Sequence, residues 1–287
     1  TTEIYTLSLH DALPILFGTN HNLERNALGF HIPGMFDKVL DIETCYLQHQ
    51  ISNKIRNSIK CFAIESGMTF FSLREQKGFL RNLTIRNTST GEWMLTFSFF
   101  ENNPEQITQI LKFAEDSFPE VNSIVYFINS KKNDSTGDLD FHVYKGTGYI
   151  TETLGPLKFI IGPKSFYQTN SFQAYALYSF ALNFTGLKGN EIVYDLYTGT
   201  GTIACFFANY CKKVIGIEYV EEAVADARLN AMANEIHNAF FFSGDMKDVL
   251  KEEFVDSNGK PDVIITDPPR AGMHPDEIGR ASCRERV

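Results

Sequence analysis

The sequence predicts a doubly wound, Rossmann-like α/β domain preceded by a smaller α+β domain. Three observations carry that expectation. From Phe166 onward, short apolar runs alternate with helical stretches, the rhythm of a parallel sheet covered on both faces. The apolar run Val193–Leu196 leads straight into a glycine turn, Tyr197-Thr198-Gly199-Thr200-Gly201-Thr202. Acidic residues (Asp195, Glu218, Asp245, Asp267) stand at the ends of successive apolar runs. With 287 residues, 43% hydrophobic and 21% charged, the chain has ordinary globular composition and length for two domains, which excludes disorder, collagen and coiled coil.

The ends are set apart. Residues 1–15 (TTEIYTLSLHDALPI) and 277–287 (EIGRASCRERV) can be encoded by DNA strings that are reverse complements over about thirty bases, as an adapter translated on both strands would be. They are expected not to be native, which leaves a chain from Leu16 to Asp276, cut at both ends. Domains are expected at 16–160 and 161–276.

In the first domain, strands are expected at Phe30–Ile32, Val39–Ile42 and Phe79–Ile85. Asn87-Thr88-Ser89-Thr90-Gly91 has turn chemistry, so Phe79–Phe100 reads as a hairpin with Trp93–Phe100 as its second strand. Pro104 opens a helix to Ser117 with Ile107, Ile110, Leu111 and Ala114 on one face. Strands follow at Ser123–Ile128, Phe141–Tyr144 and Leu157–Ile161, with a polar loop at Lys131–Asp138. In the second domain, helices are expected at Ser171–Asn183, Thr200–Asn209 and Glu221–Asn234. The intervening strands are Glu191–Leu196, Lys213–Ile217, Ala239–Phe242 and Val263–Thr266.

Composition narrows the function. Five cysteines are too few and scattered for a disulfide scaffold, and no apolar run reaches the length of about 18 residues that a membrane span needs. A cytoplasmic, monomeric protein without a membrane partner is expected. The net charge of −9 requires any nucleic-acid contact to be made by a local basic face. Arg81, Arg86 and Lys131-Lys132 are candidates for phosphate. The seven histidines show no paired metal-ligand spacing, so no metal site is expected within the chain itself.

The loops carry the chemistry. Gly199 and Gly201 allow a tight turn and close ligand approach at a helix start. Glu218 ends the next strand, where an acid can accept from ribose hydroxyls. Asp245, in Ser243-Gly244-Asp245, can accept from an adenine amino group. Asp267, in Asp267-Pro268-Pro269-Arg270, lies on a stiffened loop at the sheet edge and can accept from a planar substrate's N–H. Ala204 stands where a dinucleotide motif has its third glycine, a permitted variant, so the turn alone leaves a nicotinamide dinucleotide open. Three acids with little provision for pyrophosphate favour S-adenosylmethionine.

DLYTGTG, IGIE, SGD and DPPRAG, in this order, resemble the S-adenosylmethionine-dependent RNA uracil-C5 methyltransferase family, whose second domain is a class I methyltransferase fold. Ser165-Phe166-Tyr167-Gln168-Thr169-Asn170-Ser171 is similar to that family's F-x-Q-x-N segment. The resemblance implies that Gln168, Tyr197, Gly199, Thr202, Glu218, Asp245 and Asp267 form the cofactor and base pocket, with Asp267 contacting the substrate base. Gly29-Phe30-His31 and Asp41-Ile42-Glu43-Thr44-Cys45 resemble the branch acting on 23S ribosomal RNA, with transfer RNA second. It also implies attack by a cysteine thiolate at uracil C6, methylation at C5 and proton removal by a glutamate. Both groups are expected beyond residue 276, so this chain should bind cofactor without turnover. Some members hold an iron–sulfur cluster; Cys45 would be its fourth ligand in the intact protein, the other three preceding Leu16. Cys61, Cys205 and Cys211 are expected to be core residues. The other readings are a methyltransferase of another substrate class and a non-catalytic RNA-binding module.

Overall fold

The computed structural model describes residues 15–20 and 26–268. Arg270, His274, Cys283 and the segments 1–14 and 277–287 lie outside the described residues. Contacts divide the chain into two compact units, one ending at Ile150 and taking in Gly162–Lys164, the other made of Thr151–Ile161 and the residues from Ser165.

The first unit has strands β1 (Ile15–Asn20), β2 (Asn26–Ile32), β3 (Met35–Leu40), β4 (Leu80–Asn87), β5 (Trp93–Phe99), β6 (Ser123–Ile128) and β7 (Phe141–Lys145), with helices α1 (Gln50–Glu65) and α2 (Pro104–Ser117). Its seven-stranded sheet runs β2-β3-β1-β4-β5-β6-β7. β4 and β5 pair antiparallel, giving the expected hairpin, and β5 and β6 pair parallel across α2. α2 starts where the sequence says. The Asn103 side chain accepts from Gln106 N at 3.2 Å, Pro104 fills the first turn, and Ile107, Ile110, Leu111 and Ala114 are buried. They join α1's Ile55, Ile59 and Ala63 and the sheet's Leu83, Leu95, Phe97 and Phe99 in one core. Ile15, set apart with the first segment, is 1% exposed and pairs with Leu83. The fold therefore begins at least one residue before Leu16.

α1 was not expected; half of its buried residues, Ser52, Asn53 and Arg56, are polar and interrupt the apolar stripe of Ile55, Ile59 and Ala63. The polar ones hold the preceding loop. Asn53 Oδ1 accepts from Cys45 N at 2.8 Å and Asn53 Nδ2 donates to Cys45 O at 3.0 Å. Arg56 donates to the carbonyls of Ile42 and Glu43, each at 3.1 Å. Arg81 is likewise structural. It is 1% exposed and donates to the carbonyls of Asn129, Lys131 and Asn133 and to Asp134, so it clamps the 129–134 loop instead of meeting phosphate. Arg86 donates to Gly162 O at 2.6 Å, and burial holds its guanidinium down at about 10. Neither is a free cation for RNA. Cys61 is exposed, correcting its expected core position, whereas Cys205 and Cys211 are buried.

The second unit contains hairpin strands β8 (Ile150–Leu154) and β9 (Leu157–Ile161), then α3 (Ser171–Thr185), β10 (Ile192–Leu196), α4 (Thr202–Ala208), β11 (Lys213–Glu218), α5 (Glu221–Ala233), β12 (Ala239–Ser243), α6 (Met246–Val249), α7 (Glu252–Asn258) and β13 (Val263–Thr266). β10 to β13 form an all-parallel sheet in the order β12-β11-β10-β13. The order reverses beside β10, the crevice where open α/β sheets bind ligands. β9 is fastened to α5 by two asparagines one turn apart: Asn230 Oδ1 accepts from Ile160 N and Asn234 Oδ1 from Lys158 N, both at 2.8 Å. The hairpin thus belongs with the second unit, although the sequence put the boundary after residue 160. On β12, Phe241 is 5% exposed and Phe240 is 45% exposed.

Candidate functional site

The site is built on the carboxyl ends of four neighbouring parallel strands. Leu196 pairs with Ile217 and with Thr266, and Glu218 pairs with Ser243. This register brings the loops that begin at Tyr197, Glu218, Ser243 and Asp267 to one edge of the sheet.

The glycine turn is held from below. Tyr197 takes a left-handed φ of 64°, rare for a bulky residue, and Gly199 and Gly201 follow at 54° and 79°. The two glycines differ in purpose. A Cβ on Gly201 would lie 2.9 Å from Ala227 Cβ, so α4 could not pack on α5; a Cβ on Gly199 would meet nothing within 4 Å. Gly199 therefore faces open space, as a ligand-side glycine would. Thr198 Oγ1 donates to Asp195 Oδ2 at 2.6 Å, and Thr200 O accepts from Asn230 Nδ2 at 3.0 Å.

Asp195 is fully buried, and burial pushes its carboxyl up to about 7. The Thr198 hydroxyl and the Ala204 N–H pull it down, and the nearby Asp267 and Glu218 push it up further. The strand register puts Glu218 and Asp267 at the ends of β11 and β13, the two strands that flank Asp195's own.

Glu218 Oε2 accepts from Gly199 N at 3.1 Å and Oε1 from Val220 N at 3.0 Å, so each oxygen keeps accepting capacity. Asp245 caps α6 by accepting from Lys247 N at 3.1 Å and pairs with Lys247 Nζ at 3.1 Å. Gln168 Nε2 donates to Asp267 Oδ2 at 3.4 Å, joining two of the expected site residues across 99 positions of sequence. Gln168 is delivered by the segment after β9, where Ser165 Oγ donates to Asp226 Oδ2 at 2.5 Å and Thr200 Oγ1 donates to Phe166 O at 3.2 Å. The sequence reading missed Tyr178. It is 4% exposed, and its ring lies edge-on to Phe206 of α4, with centroids 5.8 Å apart. The available signal was its place on α3, where Ala174 and Tyr178, four apart, are the buried residues and one carries a polar tip.

The fold and this edge define a class I methyltransferase type of domain. Residues 187–280 match the family model described as "Methyltransferase domain". The chain is 56% identical over 258 residues to a Bacteroides thetaiotaomicron protein named "Uncharacterized RNA methyltransferase", a match covering 89% of this chain and 57% of that protein. It is 53% identical over 252 residues to a Porphyromonas gingivalis protein of the same name, covering 87% and 54%. The chain thus spans little more than half the length of these relatives. Among solved structures it resembles the Pyrococcus abyssi tRNA (uracil-54, C5)-methyltransferase in complex with S-adenosyl-L-homocysteine. The TM-score is 0.72 at 28% identity, over 93% of this chain and 62% of that one.

The residues present fit S-adenosylmethionine: open space at Gly199, acceptors at adjacent strand ends, and Gln168 beside Asp267. They do not fit an iron–sulfur cluster. Among the described residues no three His, Cys, Asp or Glu side chains are grouped as metal ligands, and Cys45 is a single buried thiol. No described helix is long and apolar enough to cross a membrane.

Proposed function

We propose that this chain is part of an RNA methyltransferase that transfers the methyl group of S-adenosylmethionine to C5 of a uridine. The observation that carries the reading is the convergence of Glu218, Asp267 and Gln168 on the switch point of the parallel sheet. Bound S-adenosylmethionine supplies an electrophilic methyl on a sulfonium. Glu218 accepts the ribose hydroxyls, Asp245 accepts the adenine amino group, Tyr197, Gly199 and Thr202 line the same pocket, and Asp267 with Gln168 holds the uracil edge. The second unit is the cofactor domain and the first faces RNA.

Titration calorimetry with S-adenosylhomocysteine tests the cofactor part. Saturable binding that Glu218→Ala abolishes supports it, and no heat from the unaltered chain overturns it. The base is tested separately with 5-fluorouridine RNA. A covalent adduct supports uracil C5 as the acceptor, and methyl transfer to unmodified RNA with no adduct overturns it. Ribosomal RNA is favoured as substrate by the Gly29–His31 and Asp41–Cys45 segments. Transfer RNA is the second reading, favoured by the printed substrate of the Pyrococcus structure. Methyl transfer to 23S ribosomal RNA against tRNA transcripts separates them.

A further inference from the structure

β12 is the terminal strand of the parallel sheet, and its outer side is open. Val214 N donates to Asn238 O and Gly244 N to Glu218 O. The even-numbered residues of β12 therefore turn their main-chain groups toward β11, and Ala239, Phe241 and Ser243 turn theirs outward. Arg228 of α5 reaches across and donates to Phe241 O at 2.7 Å. Beside this contact lies an open groove of about 400 Å³ between α5 and the strand, a volume in the range of small-ligand sites. Apart from Arg228 its lining is apolar, and it contains no acidic side chain. Met232 and Phe240 line it and are 74% and 45% exposed. The Phe240 ring is held by Lys213, whose Nζ stands 5.2 Å from its centroid and donates to Asn258 O at 2.8 Å. Arg228 is exposed and, among the described residues, has no carboxylate partner, so most of its five N–H donors are free.

We propose that this groove receives a base of single-stranded RNA, stacked on Phe240, with the adjoining phosphate on Arg228. This rests on the RNA reading above and gives the second unit an RNA contact of its own, along the length of β12 and not at its carboxyl end. The chain carries a net charge of −9, so an acid-free hollow with an unpaired cation at its rim is a place set apart for an anion. An exposed aromatic ring beside a guanidinium with spare donors suits a nucleotide, which brings a π-face and a phosphate together. A peptide strand is the poorer occupant. Adding to the edge of β12 would require the outward carbonyl of Phe241, and Arg228 already holds it. A stacked base needs none of the strand's main-chain groups.

The test is titration of the 287-residue chain into a fluorescein-labelled oligouridine of about twelve nucleotides, followed by anisotropy over a range of salt concentrations. Phe240→Ala removes the ring and should weaken binding about tenfold without changing the salt dependence, because stacking releases no counterion. Arg228→Met keeps the apolar stem and should also weaken binding, but with the slope of log affinity against log salt reduced by about 0.7, one phosphate contact on a single strand. A merely structural role for the two residues would not separate these slopes. Phe240→Trp keeps a stacking face and should hold the affinity, and its added indole emission should be quenched by bound RNA. That variant decides the matter should Phe240→Ala fail to fold. Unchanged RNA affinity in Phe240→Ala and Arg228→Met, or no quenching in Phe240→Trp, overturns the groove and leaves the RNA reading standing. A dimer in sedimentation that Phe240→Ala dissolves, with RNA binding untouched, makes the groove a protein interface and overturns the proposal as well. No RNA binding by the unaltered chain overturns it too, and methyl transfer to RNA by the intact protein then decides the underlying reading by itself.

Discussion

Replacing Asp195 by Asn tests the electrostatics at the base of the site. Asp195 is fully buried and its carboxyl is pushed up to about 7. Below about pH 4, folded and unfolded chains both hold the proton, and the residue costs nothing. As the pH rises toward 7 the unfolded chain loses that proton while the folded chain keeps it. Stability therefore falls by about 1.4 kcal/mol per pH unit, reaching a full penalty of about 4 kcal/mol above pH 7. Asn has the same shape, its amide oxygen can still accept from Thr198, and it carries no such penalty. The stability of Asp195→Asn minus that of the unaltered chain should thus grow between pH 5 and pH 7 by roughly 2–3 kcal/mol and then level off. Urea unfolding followed by circular dichroism reads it. Trp93, the single tryptophan, lies in the first unit, so its fluorescence follows that unit separately. A difference that is flat from pH 5 to pH 8, or that shrinks, would refute this account of a desolvated acid.

Other outcomes follow from packing. Gly201→Ala combines a left-handed φ with a clash against Ala227, and should cost about 2–3 kcal/mol in urea unfolding; Gly199→Ala, with open space around it, should cost only about 1 kcal/mol. Asn230→Ala leaves Ile160 N and Thr200 O without their partners, and should cost about 2–4 kcal/mol by the same measurement. Arg81→Ala removes the donors that hold the 129–134 loop. It should bring limited proteolysis to that loop, with a stability loss of about 3 kcal/mol.

What the sequence made legible was what local chemistry decides. α2 has a cap, a proline and an apolar stripe, and its bounds fall where those signals put them. The parallel strands of the second unit are short apolar runs, and the acids at their ends mark the edge at which ligands bind. α1 was illegible because its inward face carries Asn53 and Arg56, which are buried only because the 41–48 loop uses their hydrogen bonds. β8 and the short helices α6 and α7 carry too few residues for a periodic signal. Arg81 looked like a surface cation because no sequence pattern reveals that four carbonyl and carboxylate partners surround it. Tyr178 was hidden for the same reason: its ring meets Phe206, 28 positions away, only because α3 packs on α4.

The two amide side chains that fasten β9 to α5 have a consequence for how this part of the molecule can vary. Both meet main-chain atoms, at Lys158 and Ile160, and neither meets a strand side chain. The strand can therefore exchange its residues widely without slipping sideways, since every amino acid except proline offers the same N–H. The helix has no such latitude: a carboxylate there would lose the donor that reaches Thr200 O, and a glutamine would overshoot by a methylene. One partner of the joint is free to drift, and the other is pinned to two identical letters.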